Sequence, residues 1–304
     1  MSKFFIARNM DSDDLYRAAL WDAGFEERNL PEQADFIVHD AVHPGLEPYL
    51  ATRPNFIYPH TPQSSFLWDG ILSTKIKVNC NFVYGEGGRK VLASYKYPYR
   101  VETIGFTRCE VQTFRPTTGN NLLIIPSHPL QHGEYTYPDY MEYALGALRY
   151  VYRHRAAFGK ITLCWDEDRF DPEFYGAIQR AGWELIRTNP YKDPEPLKHM
   201  MERMEKADLI FSCGTAGTVA CAMGKPTVFM TERGLARTAP RDADHSDWYS
   251  HILMFPLTVE SMSIDELLAV RTVQNSKVEF WKQEMIGGNF NARKFVNVIK
   301  EYVK

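Results

Sequence analysis

Short apolar runs alternate with segments of helical period along nearly the whole chain, and most runs close on glycine, proline or small polar residues. In the first third, residues 3–8, 35–38, 55–58, 77–84 and 101–104 read as strands. Helices are predicted from a cap at Asp11 or Ser12 to about Ala23, and over 86–94. The segment 115–120, with proline, glycine and small polar residues but no period, breaks the alternation and is predicted as a linker. Beyond it, strands at 122–125, 161–165, 183–187, 207–211, 226–230 and 251–257 alternate with helices at 137–158, 172–181, 194–206, 219–223 and 291–303. Such alternation implies an α/β class built on parallel sheets.

The expected architecture is therefore two Rossmann-like α/β domains facing a cleft, residues 1–116 and 117–285. Residues 286–304 form a C-terminal helix that packs back toward the first domain. In folds of this class ligands lie beyond the carboxyl ends of the strands.

Composition narrows the function classes. The 304 residues are 44% hydrophobic and 24% charged, as in an ordered globular chain, and long enough for two domains. A net charge of −3 gives no general pull toward nucleic acid or anionic lipid. The five cysteines form no CxxC pair and read as reduced residues of a cytoplasmic protein, without a metal site or disulfide framework. No apolar run reaches the length of a membrane span, and no signal peptide is evident.

The most informative stretch is Ser212-Cys213-Gly214-Thr215-Ala216-Gly217-Thr218, set between two apolar strands. A strand that enters a small-residue turn and opens into a helix aims unpaired N–H groups at one spot, at the positive end of the helix dipole. That spot suits a phosphate, and a ligand-free tight turn is the alternative. His128, after the strand at 122–125, should face the same crevice and could donate to a phosphate. Glu232 and Arg233 follow the strand at 226–230 and are candidates for contact with a donor sugar or nucleotide. In the first domain a transfer to a hydroxyl would need a general base. His60 is the leading candidate, with Asp40 and Asp69 behind it.

These residues carry a resemblance. The run from Ala207 to Thr215, with Gly224-Lys225-Pro226 after it, resembles the donor-site segment of glycosyltransferases of the GT-B fold. The nearest branch includes UDP-N-acetylglucosamine 2-epimerases and the CDP-glycerol and polysialic-acid transferases. Ser127-His128-Pro129, Thr231-Glu232-Arg233 and Pro59-His60 are similar to further elements of that branch. Thr218 and Val219 stand where the branch carries acidic ribose-binding residues, and Thr61 replaces the glycine of its Pro-His-Gly.

The resemblance implies metal-independent transfer of a sugar from a nucleotide-activated co-substrate of UDP, CDP or CMP type, with no other cofactor. The acceptor would be a hydroxyl of DNA, a glycan or a small molecule. A sugar-nucleotide epimerase or hydrolase, and a non-catalytic nucleotide-sugar-binding protein, are the alternatives.

Overall fold

The structure, a computed structural model, describes residues 1–7, 13–40, 45–59, 76–94, 96–125, 148–166, 172–188, 193–212, 214–229 and 262–303. The chain divides into two compact units, and every strand pair described in either is parallel. The expected α/β class with two parallel sheets is what the chain forms.

The first unit holds residues 1–110 and 282–304. Its strands are β1 (Lys3–Ile6), β2 (Glu26–Glu27), β3 (Phe36–His39), β4 (Asn55–Ile57), β5 (Cys80–Val83) and β6 (Val101–Thr103), in the order β2-β1-β3-β4-β5-β6. Phe4, Phe36, Phe56 and Phe82 form a ladder on one face, with successive rings 6.0, 6.0 and 6.5 Å apart. Two helices, α1 (Asp13–Asp22) and the C-terminal α9 (Ala292–Lys300), cover this ladder. In α9, Phe295, Val296, Val298 and Ile299 are all buried, an apolar stripe at helical spacing. Asn291 caps it by accepting from the Lys294 amide at 2.9 Å. The last helix thus completes the first unit's core, as expected for a chain that returns.

The second unit holds β7 (Leu122–Ile125), β8 (Ile161–Asp166), β9 (Glu184–Thr188), β10 (Leu209–Ser212) and β11 (Thr227–Phe229), ordered β11-β10-β7-β8-β9. From the central β7 the chain winds outward through β8 and β9, then crosses back to β10 and β11 on the other side. With right-handed crossovers, such a reversal puts the helices of the outward course on one face and those of the return on the other. The helical residues 148–153 and α4 (Pro172–Arg180) supply Leu148, Val151 and Ile178 to a core with Leu163, Trp165, Leu209 and Phe211. Helices α5 (Pro196–Glu205) and α6 (Gly214–Ala222) pack against each other, and α6 against β10 and β11.

Three local expectations change. The helix expected through Phe158 is helical only to residue 153. A 3-10 turn at Arg155–Ala157 follows, and extended Phe158 is driven into the core ahead of β8. The strand expected at 77–84 is strand only over Cys80–Val83. The segment 115–120 is no loose linker. Arg115 pairs with Glu205 at 2.8 Å, Thr117 N donates to Arg271 O at 2.8 Å, and Thr117 Oγ1 donates to Asp208 O at 2.7 Å. Its polar groups are spent on the second unit, and contacts divide the chain after Glu110 rather than at 116. The strand expected at 251–257 lies outside the described residues.

Candidate functional site

The site is assembled at the carboxyl edge of the second sheet. Ser212 of β10 pairs in register with Ile125 of β7 on one side and with Phe229 of β11 on the other. Three neighbouring strands therefore end in one row. From those ends the chain departs toward His128, into α6, and toward Glu232 and Arg233. Between β7 and β10 the winding reverses, the position beyond whose strand ends ligands lie in folds of this class.

Helix α6 starts at Gly214, a single residue beyond β10. The sequence predicts a turn through Thr218 and a helix only from Val219, so the helix is longer than expected at its start. Glycine and threonine are weak helix formers, but residues 216–222 are all buried. Close packing against the sheet selects small residues there, and burial outweighs propensity. The amides at 214–216 lie within the first turn, where N–H groups lack intrahelical acceptors. No acidic residue sits in that turn to neutralise the dipole. Gly214, Thr215 and Ala216 thus stand at an end of the helix suited to an anion.

Three members of the expected phosphate set are placed elsewhere. Ser212 is fully buried, and its hydroxyl donates to Ile125 O at 2.8 Å, tying β10 to β7 at the reversal point. Thr218 is fully buried within the body of α6, and Gly217 is also inside the helix. Both hydroxyls belong to buried packing rather than to an exposed surface at the strand ends. His128, Glu232, Arg233, His60 and Asp69 lie outside the described residues.

Of the first-unit candidates, Asp40 is described. It directly follows β3, at the carboxyl edge where β1 and β3 part, and is 2% exposed. Beside it on the chain, His39 Nε2 lies 3.4 Å from Asn55 Oδ1, and Asn55 is itself held by Leu50 O and Lys77 O.

Sequence reasoning missed a group of buried phenols at this same edge. Tyr84 Oη donates to Pro59 O at 2.7 Å, and Tyr58 Oη donates to Ala7 O at 3.1 Å. Tyr16 Oη lies 3.4 Å from both Pro59 O and Thr107 Oγ1, and Thr107 Oγ1 also reaches Tyr84 Oη at 3.4 Å. Burial pushes the Tyr84 phenol above its ordinary value despite the nearby Arg108 charge. The Tyr84 and Tyr16 hydroxyls hold the carbonyl of Pro59, the residue before His60. The signal was present: Phe-Ile-Tyr at 56–58 and Phe-Val-Tyr at 82–84 each end a strand on tyrosine.

The sequence matches no family model and no curated protein. Its structure is similar to that of the wall teichoic acid polymerase TagF, with a TM-score of 0.52 and 12% identity, over 99% of this chain and 89% of that one. This likeness is one of fold. The structure of TarM aligns with a TM-score of 0.44 and 12% identity, over 88% of this chain and 54% of that one. That of the glycotransferase of kitacinnamycin gives 0.46 and 11%, over 99% and 98%. Two Rossmann-like α/β units are thus shared with TagF across nearly the whole chain. No helix among the described residues is long and apolar enough to cross a membrane.

Proposed function

We propose that the protein is a glycosyltransferase that moves a sugar, or a similar group, from a nucleotide-activated donor to an acceptor hydroxyl. The second unit binds the donor. One observation carries the reading: strands β7, β10 and β11 end in register, so the segments bearing His128, the start of α6 and Glu232-Arg233 issue from one edge at the winding reversal. Bond cleavage at the donor builds negative charge on the leaving phosphate. The amides of Gly214, Thr215 and Ala216 stabilise that charge without reorganising, and His128 donates to it. This division of labour needs no metal. Glu232 and Arg233 meet the sugar or nucleotide portion. In the first unit His60 removes the acceptor proton; the Tyr84 and Tyr16 phenols hold the carbonyl of Pro59, the residue before it. The likeness of fold to a teichoic acid polymerase agrees with a transfer reaction.

A thermal-shift panel of UDP, CDP, CMP, GDP and their sugars tests the donor site. A ligand at a hundred times its Kd adds about 2.7 kcal/mol to folding stability, so one base should stand apart. The shift should fall sharply in His128→Ala. A flat response to every nucleotide ends the donor-site reading. Turnover of the donor without an acceptor would instead favour an epimerase or hydrolase, and binding with no turnover a non-catalytic role.

A further inference from the structure

The second unit carries a basic surface at the edge opposite the donor segments. Between Glu142 and Asp166 the sequence holds Arg149, Arg153, Arg155 and Lys160 and no acidic residue. Residues 148–153 are helical, and residues 154–160 lead into β8 from its amino end. The surface therefore lies at the amino edge of the sheet, whereas β7, β10 and β11 release the donor-site segments at the carboxyl edge.

The two sides of this helix are used differently. Leu148 and Val151 are buried in the core, and Tyr150 is anchored there, its hydroxyl donating to Met262 O at 2.9 Å. Arg149, Tyr152 and Arg153 are exposed together, at the i, i+3, i+4 spacing that makes neighbours on one face. Arg155 follows in an exposed turn. It donates to Tyr152 O at 3.4 Å and holds its guanidinium 4.9 Å from the centre of the Tyr152 ring. Lys160 is bound to Glu184 at 3.0 Å, which ends the patch. Among the described residues, none of the three arginines has a carboxylate partner.

Folding does not explain the arrangement. Like charges four residues apart on a helix repel, and the Tyr152 ring, 52% exposed, adds little to any core. The helix dipole favours a cation in the last turn, which accounts for Arg153 but not for Arg149 or Tyr152. Planar guanidinium forks suit phosphates, and an exposed aromatic ring beside them suits an unpaired base. Three arginines fall short of the cluster of about four to eight cations that adsorbs to a lipid surface. The apolar side of the helix is also already buried, so it has nothing to insert into one. Duplex bases stay stacked on one another and give Tyr152 no partner.

We propose that this surface binds single-stranded nucleic acid, with the arginines on phosphates and Tyr152 against a base. It concerns a face that the donor-site reading does not use, so the two stand or fall separately. Fluorescence anisotropy of labelled oligothymidine and oligouridine on the full chain tests it, with duplex DNA, inorganic polyphosphate and phosphatidylserine vesicles as counter-probes. At least one oligomer should bind at low salt. Log affinity should fall against log salt with a slope of about −2, from three phosphates at about −0.7 each. Arg149→Gln combined with Arg153→Gln should reduce that slope to about −0.7. Tyr152→Ala should weaken binding about fivefold or more. Should the double variant lose its native melt, Arg155→Gln reports in its place and should take about 0.7 off the slope. Arg293→Gln, at an exposed arginine of the first unit, should change nothing. The assignment is overturned by no binding of either oligomer, by a slope indifferent to the patch arginines or equally sensitive to Arg293→Gln, or by affinity unmoved in Tyr152→Ala. Duplex, polyphosphate or vesicles binding as tightly as the oligomers would also overturn it.

Discussion

At the residue scale, two glycines with similar backbone angles are under very different demands. Gly24 has φ +84° and Gly224 has φ +73°. A Cβ at Gly24 meets nothing within 4 Å, whereas one at Gly224 would lie 2.0 Å from Thr113 O. That carbonyl belongs to the segment held on the second unit through Gln112 N to Ala222 O and Arg115 N to Gly224 O. Gly24→Ala should cost only the strain of a left-handed alanine, on the order of 1 kcal/mol. Gly224→Ala should cost that strain plus displacement of residues 111–115, about 3 kcal/mol or more. Equal losses in denaturant melts of the two variants would show that backbone angle alone sets the cost. The Gly-Lys-Pro motif is legible in the sequence, but the partner for its glycine is not. A contact more than a hundred residues away leaves no local signal.

At the scale of elements, legibility followed burial. Strands flanked on both faces read as continuous apolar runs, so β3, β4, β7 and β10 fell close to where the sequence puts them. Helix α9 was legible for the complementary reason, its single apolar stripe. Helix α6 was legible only in its second half. Its first turn is rich in small residues whose packing role shows only once the sheet is folded beneath it. The candidate site shares that division: the Gly/Thr stretch stood out, while the burial of Ser212 and Thr218 depends on strand register. The phenols on Pro59 went unnoticed because Tyr16 and Tyr84 reach it from segments distant in the chain. A direct consequence concerns α9, whose Phe295 contacts Phe82 at 4.9 Å and Tyr16 at 5.3 Å, fully buried. Phe295→Ala should destabilise the first unit by about 3–5 kcal/mol. Hydrogen exchange should show protection lost over β1, β3 and β5 while β7 and β10 keep theirs. Uniform loss in both sheets would mean that the two units unfold as one.

For the whole molecule, the ionisable groups set a stability plateau with two limbs. Arg115 holds the Glu205 carboxyl below its usual range, Thr162 and Lys160 do so for Glu184, and His199 and the Glu195 amide for Asp193. Unfolded carboxylates bind protons first as pH drops, so the stability from these groups is present above about pH 4 and lost below it. Three thiols, buried at Cys80 and Cys164 and half-buried at Cys109, work in the opposite direction. Burial pushes Cys80 and Cys109 up to about 12 and Cys164 up to about 11, from 9.0. Their contribution is intact below the unfolded thiol value and disappears as pH rises through the folded ones. Thermal melts across the range should therefore fall at both ends, with iodoacetamide labelling of these three cysteines slow at neutral pH. A Tm still rising between pH 9 and 11 would contradict the alkaline limb.

The interleaved chain path also orders events during synthesis. Because Phe295, Val298 and Ile299 sit among the side chains of β1, β4 and β5, the nascent N-terminal segment must leave the ribosome lacking its own seal. The five strands of the second sheet, between residues 122 and 229, emerge next. The half translated first is then the half that matures second, and until residues 282–304 arrive its phenylalanine ladder is a surface for chaperones to shield.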